Sequence, residues 1–276
     1  MRPRLSVRKS VVNLCVVLGC VSTTDVVLAD PPVPTTKEEP AKKEEPVKPT
    51  AAHSSGTKSE PAKTGTKREA PKTCTYSTYS WHVKKRRAVR HKRVEKPYGE
   101  VTDAERDPMG SECTVCKEDQ IEVKVKGIPS VTVCWVFETK VRKALKQIRV
   151  GKEFRIEQIE GYRVGKTRGP VARGVRTVFS NHSYGTAIDI NRNDNGLYNP
   201  CKVSAETLVS DPKRIKRCRR RVGGRWDPDK NPKTTITMAE KSPGFHVYKA
   251  FNSFWSWGGE LEGRLKDFMH FSLDGK

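Results

Sequence analysis

Residues 180–191 read Ser-Asn-His-Ser-Tyr-Gly-Thr-Ala-Ile-Asp-Ile-Asn, and this stretch supplies two candidate metal ligands, His182 and Asp189. Far downstream, residues 267–271 read Asp-Phe-Met-His-Phe and supply a third, His270. Two histidines and one carboxylate are the protein ligands of a catalytic zinc site whose fourth position is left open. The two segments are therefore expected to meet in the fold and to form one zinc site.

A second carboxylate, Asp267, lies three positions before His270. At this spacing it could reach a water molecule at the metal and accept its proton, so Asp267 is predicted to be the general base. The alternative for His182 and Asp189 is a hydrogen-bonded pair in a turn without metal, and spacing alone favours the metal site only slightly. The other histidines have no comparable surroundings: His53, His82, His91 and His246.

Both motifs together resemble a known family signature. The pattern is S-x-H-x-x-G-x-A-x-D over residues 180–189, followed by D-x-x-H over residues 267–270. It resembles the zinc D,D-peptidase family of hedgehog-like fold, which includes VanY-type D-alanyl-D-alanine carboxypeptidases and L-alanyl-D-glutamate peptidases. Gly-Tyr-Arg at 161–163 and Trp-Gly-Gly at 257–259 add to the likeness, which covers roughly residues 112–274.

The resemblance assigns roles to particular residues. It implies that His182, Asp189 and His270 bind Zn²⁺ and that Asp267 deprotonates the water that attacks a peptide carbonyl. Arg163 resembles the arginine of the family's GYR motif, which holds a substrate carboxylate or stabilises the oxyanion.

Several other residues are candidates for contact with substrate. Arg168 and Arg173 lie close enough in sequence to compete for the arginine's role. We expect Ser180 and Tyr184 to line the cleft, and Trp257 to pack beneath the metal or to form a pocket wall.

The mixture of elements predicts an α+β fold, with a small antiparallel sheet and flanking helices that carry the zinc site. Alternating apolar residues predict strands at 121–125 and 131–135, joined by a turn. Helical periodicity from Phe137 to Ile148 predicts a helix that ends at Gly151. A further strand is predicted over 154–159. A short helix is predicted after Ser242-Pro243, with Val247, Tyr248, Phe251 and Trp255 on its apolar face.

The N-terminal part of the chain has the three parts of a secretory signal over residues 1–29. A basic start precedes the apolar run 11–21, which is too short to span a bilayer, and the segment ends at Ala29. An alternative interpretation is a lipoprotein cleavage box ending at Cys20. Export to the periplasm, the cell envelope or the medium follows from either.

Composition divides the rest of the chain. Residues 30–80 are rich in Pro, Lys and Glu and are predicted to be a disordered linker, because such a segment buries too little apolar surface to fold. Residues 81–111 are predicted to be a basic arm, and residues 112–276 the zinc peptidase domain.

The 276 residues include 54 Lys and Arg against 32 Asp and Glu, which gives a formal charge of +22. No apolar run reaches the ~18–20 residues of a membrane span, which argues against an integral membrane protein. The charge indicates a polyanionic partner, and much of it lies at 84–96 and 213–225. Nucleic acid is not expected, since no nucleic-acid-binding motif is present. The clusters fit anionic envelope polymers, although a solvated charged arm is an equal alternative for 84–96.

Six cysteines follow the signal, and an even number in an exported chain predicts disulfides. The Cys113-x-x-Cys116 pair also suits a metal or redox site, but no second pair of that spacing exists. Cys201 and Cys218 flank a basic loop and are the first predicted pairing. The other cysteines are Cys74 and Cys134.

The sequence thus predicts an exported monomeric zinc metallopeptidase that cleaves peptidoglycan stem peptides, foremost as a D-alanyl-D-alanine carboxypeptidase. An L-alanyl-D-glutamate endopeptidase of the same fold is the alternative. A third hypothesis is a non-catalytic wall-binding module. The presence of all four residues of the two motifs argues against it.

Overall fold

The computed structural model describes residues 68–151 and 153–276. The predicted signal peptide, the alternative cleavage at Cys20 and residues 30–67 of the predicted linker lie outside the described residues. The described residues form a mixed α+β structure with several small sheets and few helices, which confirms the predicted class. None of the described helices is long and apolar enough to cross a bilayer.

Three α-helices lie in the described residues: α1 (Glu138–Gly151), α2 (Ala205–Ser210) and α3 (Pro243–Asn252). The strands in chain order are β1 (Thr73–His82), β2 (Arg87–Pro97), β3 (Gln120–Val125), β4 (Ile128–Cys134), β5 (Ile159–Glu160), β6 (Gly165–Ala172), β7 (Val175–Phe179), β8 (Ala187–Ile190), β9 (Leu197–Tyr198), β10 (Arg220–Val222), β11 (Ser256–Trp257), β12 (Lys266–Asp267) and β13 (His270–Ser272).

The sheet that positions the candidate site has the strand order β11-β13-β8-β5, with all pairs antiparallel. Its middle strand β8 is buried along its whole length. A second four-stranded sheet has the order β2-β1-β6-β7, a third is β10-β9-β12, and β3 and β4 form a separate hairpin. Aromatic side chains pack behind the first sheet, where Phe271 lies 5.2 Å from Phe251 between ring centroids.

The predicted hairpin and both predicted helices are confirmed. β3 and β4 pair across the expected turn. Helix α1 buries one apolar stripe, as its periodicity indicated: Val141, Ala144, Leu145 and Ile148. Ser242 caps α3 by accepting a hydrogen bond from the Gly244 amide, although Trp255 lies beyond the helix end.

The strand predicted over 154–159 is wrong for most of its length, because only Ile159 and Glu160 form a strand. Phe154 and Ile156 are buried, as their apolar character indicated. The side chain of Asn191 accepts hydrogen bonds from the amides of Glu157 and Gln158 and donates one to the Arg155 carbonyl. These contacts replace the bonds that a neighbouring strand would make.

The segment predicted as a linker and basic arm differs most from expectation. β1 begins at Thr73, within the predicted linker, and β2 lies within the predicted arm 81–111. The two strands pair over most of their length and join the sheet through β6 and β7. β2 is an edge strand, and charged edge strands discourage aggregation. Its many cations masked the strand pattern.

Disulfides link all six cysteines that follow the predicted signal. Cys201 pairs with Cys218, as predicted. Cys113 and Cys116 do not pair with each other: the bonds are Cys113–Cys134 and Cys74–Cys116. The structural interpretation of the Cys-x-x-Cys pair is therefore confirmed. Such bonds are typical of extracellular or envelope proteins.

Candidate metal centre

The pairing of β8 with β13 sets two predicted ligands side by side. His270 is the direct register partner of Asp189, so their side chains share one face of the sheet. The distance from His270 Nδ1 to Asp189 Oδ1 is 2.9 Å. Both residues are buried.

The third predicted ligand comes from the 3-10 helix Asn181–Tyr184 that precedes β8. His182 Nε2 lies 3.1 Å from the same oxygen, Asp189 Oδ1. The helix ends at Gly185, which has φ +68, and a Cβ atom there would lie 2.5 Å from the Cys134 amide nitrogen. Glycine is therefore required for the turn that aims His182 at β8.

Backbone carbonyls indicate which ring nitrogens are free. His182 Nδ1 lies 2.8 Å from the Gly161 carbonyl, and His270 Nε2 lies 2.8 Å from the Lys276 carbonyl. A carbonyl only accepts, so the neutral tautomer with the proton on these nitrogens satisfies both contacts. In that tautomer the lone pairs of His182 Nε2 and His270 Nδ1 both face Asp189.

A cation fits this arrangement. His182 Nε2 is buried and has no hydrogen-bond partner among the described residues. One ligand atom from each of His182, Asp189 and His270 lies within 4.8 Å of the others. Two imidazole lone pairs and a carboxylate oxygen that converge on one point suit a metal ion, with the opposite ring nitrogens held by carbonyls as in known sites.

Electrostatics keep Asp189 charged. Burial raises the pKa of Asp189, but contacts with His182 and His270 outweigh it and hold the pKa well below its usual value. Burial lowers the pKa of His182. Burial also acts to lower the pKa of His270, but its contact with Asp189 outweighs this and the net shift is upward. Asp189 therefore supplies the negative charge that a cation needs.

Arg163 contacts the cluster directly. Its Nη2 donates to Asp189 Oδ2 over 2.7 Å, and its Nη1 lies 3.5 Å from Glu160 Oε2. The other carboxylate oxygen of Asp189, Oδ1, therefore remains to contact His182 and His270. The Arg163 side chain is 39% exposed. The structure therefore places Arg163 both on Asp189 and at the solvent-accessible edge of the centre.

The Gly-Tyr-Arg turn has a steric reason for its glycine. A Cβ atom on Gly161 would lie 2.1 Å from the Thr132 carbonyl oxygen, which accepts a hydrogen bond from the Tyr162 amide. The Gly161 carbonyl also contacts His182 Nδ1. The close approach of Gly161 to Thr132 therefore fixes the position of the His182 ring and of the backbone that leads into Arg163.

Asp267 lies on β12, and its Oδ1 is buried without a hydrogen-bond partner among the described residues. Burial raises the pKa of Asp267 to about 7, while the nearby charge of His270 lowers it and that of Asp189 raises it. A carboxyl group that titrates near neutrality is suited to accept and return a proton. The charge of Asp267 interacts with those of His270 and Asp189, so this carboxyl group lies near the cluster, and its role as the general base stays a prediction.

The three predicted substrate-binding residues have different surroundings. Ser180 is half-buried and precedes the 3-10 helix that carries His182, without a side-chain hydrogen bond to the helix end. Tyr184 is instead a core residue, 3% exposed, whose hydroxyl donates to the Ala104 carbonyl. Trp257 is also buried, and its indole donates to the Phe268 carbonyl next to Asp267. Trp257 is therefore a core residue paired with Phe271, next to His270, while Tyr184 offers no surface to a ligand.

Arg168 and Arg173, the two alternatives to Arg163, have different surroundings. Arg173 is exposed in the turn between β6 and β7. Arg168 is half-buried and donates to Asn181 Oδ1 over 2.9 Å, and Asn181 in turn donates to Asp274 over 2.7 Å. Asn181 and Asp274 were not among the predicted site residues. The position of Asn181 next to His182 was the available signal.

A second group of potential ligand atoms is Cys74, Cys116 and Glu118. Both sulfurs are joined in a disulfide, so they are not thiolates and do not ligate a metal. Glu118 is used instead to bind Thr75.

Comparison with known proteins supports the class that this site defines. Residues 173–273 match the family model described as D-alanyl-D-alanine carboxypeptidase. This range contains the three predicted metal ligands and Asp267, and it confirms the resemblance on which those predictions rest. This part of the chain, just over a third of its length, is thus similar to a peptidase family. No curated protein and no solved structure matches the chain.

Proposed function

We propose that this protein is an exported zinc peptidase that cleaves peptidoglycan stem peptides as a D-alanyl-D-alanine carboxypeptidase. The observation that carries the proposal is the convergence of His182 Nε2 and His270 Nδ1 on Asp189 Oδ1, within the region that matches the peptidase family. Two nitrogen ligands and one carboxylate are a donor set typical of catalytic zinc. The disulfides support an extracellular or envelope location.

A zinc ion bound by this cluster supplies polarisation of the scissile carbonyl and acidification of water. The protein's own residues supply the proton transfers. Asp267, ionised near neutral pH, accepts a proton from the attacking water and donates it to the leaving amine. Arg163 orients Asp189, and its exposed portion is available to a carboxylate or a developing oxyanion of the substrate.

Incubation of the purified protein with defined muropeptides tests the proposal. We expect mass spectrometry to show loss of the terminal D-alanine. Cleavage after L-alanine would identify the alternative endopeptidase. Absence of any cleavage in the zinc-loaded protein would contradict a peptidase and favour the non-catalytic wall-binding module.

The basic clusters predict binding to the envelope. The first lies on the β1–β2 hairpin and its turn, and the second on residues 213–225. We expect the protein to co-sediment with isolated sacculi at low salt and to be released as the salt concentration approaches about 1 M. At that concentration, exposed charges more than about 3 Å apart are largely screened from each other. Retention that does not depend on salt would contradict an electrostatic role.

A further inference from the structure

A cleft of about 690 Å³ opens beside Arg163, on the side of the β1–β2 hairpin. The hairpin forms one wall, Lys117 lies on another, and the segment Tyr162–Val164 contributes to the lining. The aromatic and cationic residues along the cleft include Tyr79, His91, Lys92, Arg93, Lys117 and Arg163. The hairpin lies outside the region that matches the peptidase family.

The cleft is cationic. No carboxylate is among the described residues that line it. Within residues 68–151 and 153–276, Lys92, Arg93 and Lys117 have no carboxylate oxygen within 4.0 Å, and all three are exposed. The neighbouring carboxylates Glu118 and Glu160 are already bound, the first by Thr75 and the second by Arg163. The cleft therefore presents cations whose charge is not neutralised by the surrounding structure.

Several contacts hold this cationic cleft open in advance of a ligand. The Cys74–Cys116 disulfide joins β1 to the turn that carries Lys117. Thr75 binds Glu118 through both its amide and its hydroxyl, at 2.8 and 2.6 Å. Tyr162 donates to the Val115 carbonyl over 2.7 Å. A preformed pocket of this kind loses little ordering entropy when it binds.

The cationic cleft is continuous with the candidate metal centre, because Arg163 belongs to both. Its guanidinium donates to Asp189 in the centre, and Arg163 is also among the residues that line the cleft. β1 pairs with β6 at Tyr79 opposite Gly165, two residues after Arg163. A chain that occupies the cleft therefore extends towards the scissile position.

We propose that the cationic cleft binds an acidic segment of the peptide substrate and that the β1–β2 hairpin sets a preference for peptides with free carboxylates over their amidated counterparts. The occupant is inferred from charge complementarity, from the bounded size of the cleft and from its direct connection to the centre. The inference rests on the proposed function for its peptide substrate. It adds residues outside the family match that select among such peptides.

The test compares an acidic peptide with the same peptide whose side-chain carboxylates, away from the cleaved bond, are amidated. In wild-type protein we expect a lower KM for the acidic peptide and a similar kcat. The double variant R93Q/K117Q should raise KM for the acidic peptide about three- to tenfold, the combined contribution of two partly solvated charge pairs, and leave the amidated peptide unchanged. Both residues are exposed, so the variant should fold.

The matched control is K216Q/R219Q, which removes the same charge from exposed positions outside the cationic cleft. It should leave both KM values unchanged. Equal KM values of the two peptides in wild type, or an equal rise in KM in both double variants, would overturn the proposal. The second outcome would indicate general attraction by the basic surface.

A binding measurement separates this inference from the proposed function. Calorimetric titration of metal-free protein with each peptide needs no turnover. Selective binding that R93Q/K117Q abolishes supports the cationic cleft even if no bond is cleaved. Cleavage by the loaded enzyme without such selectivity would retain the peptidase and overturn the cleft assignment. Tighter binding of a polyphosphate than of the acidic peptide would also overturn it.

Discussion

Replacement of Asp267 by asparagine is expected to lower kcat about 10²–10⁴-fold, the usual contribution of a positioned general base. Asparagine is nearly the same shape but does not accept a proton at neutral pH. The metal content should not change, since the predicted ligands are His182, Asp189 and His270. Peptidase assays and elemental analysis of the same preparation check both expectations. Full activity in the variant would remove Asp267 as the base.

Although the same substitution lowers kcat, it is expected to stabilise the metal-free protein near and above neutral pH. Burial raises the pKa of Asp267 to about 7, above the ordinary value of 3.8. The folded state thus binds a proton that the unfolded state has lost, and this stabilisation is present below about pH 4 and is lost as the pH rises to about 7. Asparagine removes the cost of burying the carboxylate. The Tm difference between D267N and wild type should therefore grow from pH 5 to pH 8.

The matched control for that measurement is D229N, because Asp229 is exposed. Its Tm should follow that of wild type at both pH values. Thermal unfolding by circular dichroism, after chelation of metal, gives the comparison. A pH-independent difference for D267N would show that the Asp267 carboxyl does not gain a proton on folding.

The fold could be predicted from sequence where local patterns determine it. α1 has one apolar stripe at helical spacing, and β3 and β4 alternate around a turn, so both were found. Residues 155–158 are irregular because Asn191, more than thirty positions away, takes their hydrogen bonds. No local pattern records a partner at that distance. β2 was missed because an edge strand with cations on both faces has no alternation.

In the candidate site, too, the residues could be predicted from local motifs, but their contacts with distant residues could not. Motif spacing identified the residues of the cluster, but their meeting depends on the register that sets His270 opposite Asp189. The sequence also placed Arg163 near the centre without indicating its bond to Asp189. Tyr184 belongs to the motif by position, yet its ring fills the core against Phe179 at 6.3 Å. Proximity to a motif therefore does not determine which way a side chain points.

Replacement of His182 by alanine is expected to abolish stoichiometric metal binding and, with it, peptidase activity. Loss of a single outer-shell partner already weakens metal binding by about 10–100-fold, so loss of a direct ligand should cost more. The Nε2 atom of His182, a predicted ligand atom, is buried and has no hydrogen-bond partner among the described residues, which is consistent with a metal contact. Elemental analysis should give close to one zinc per wild-type chain and little in H182A.

The control H246A distinguishes ligand loss from a general effect of removing a histidine. His246 lies on α3, outside the cluster; its side chain is more than half exposed, and its Nε2 is 3.3 Å from Glu153 Oε2. H246A should keep its zinc and its activity. Chelation of the wild type should reproduce the H182A phenotype, and added zinc should restore the wild type but not H182A. Full zinc content in H182A would place the metal elsewhere, because a cluster left with one carboxylate and one imidazole does not retain the ion tightly.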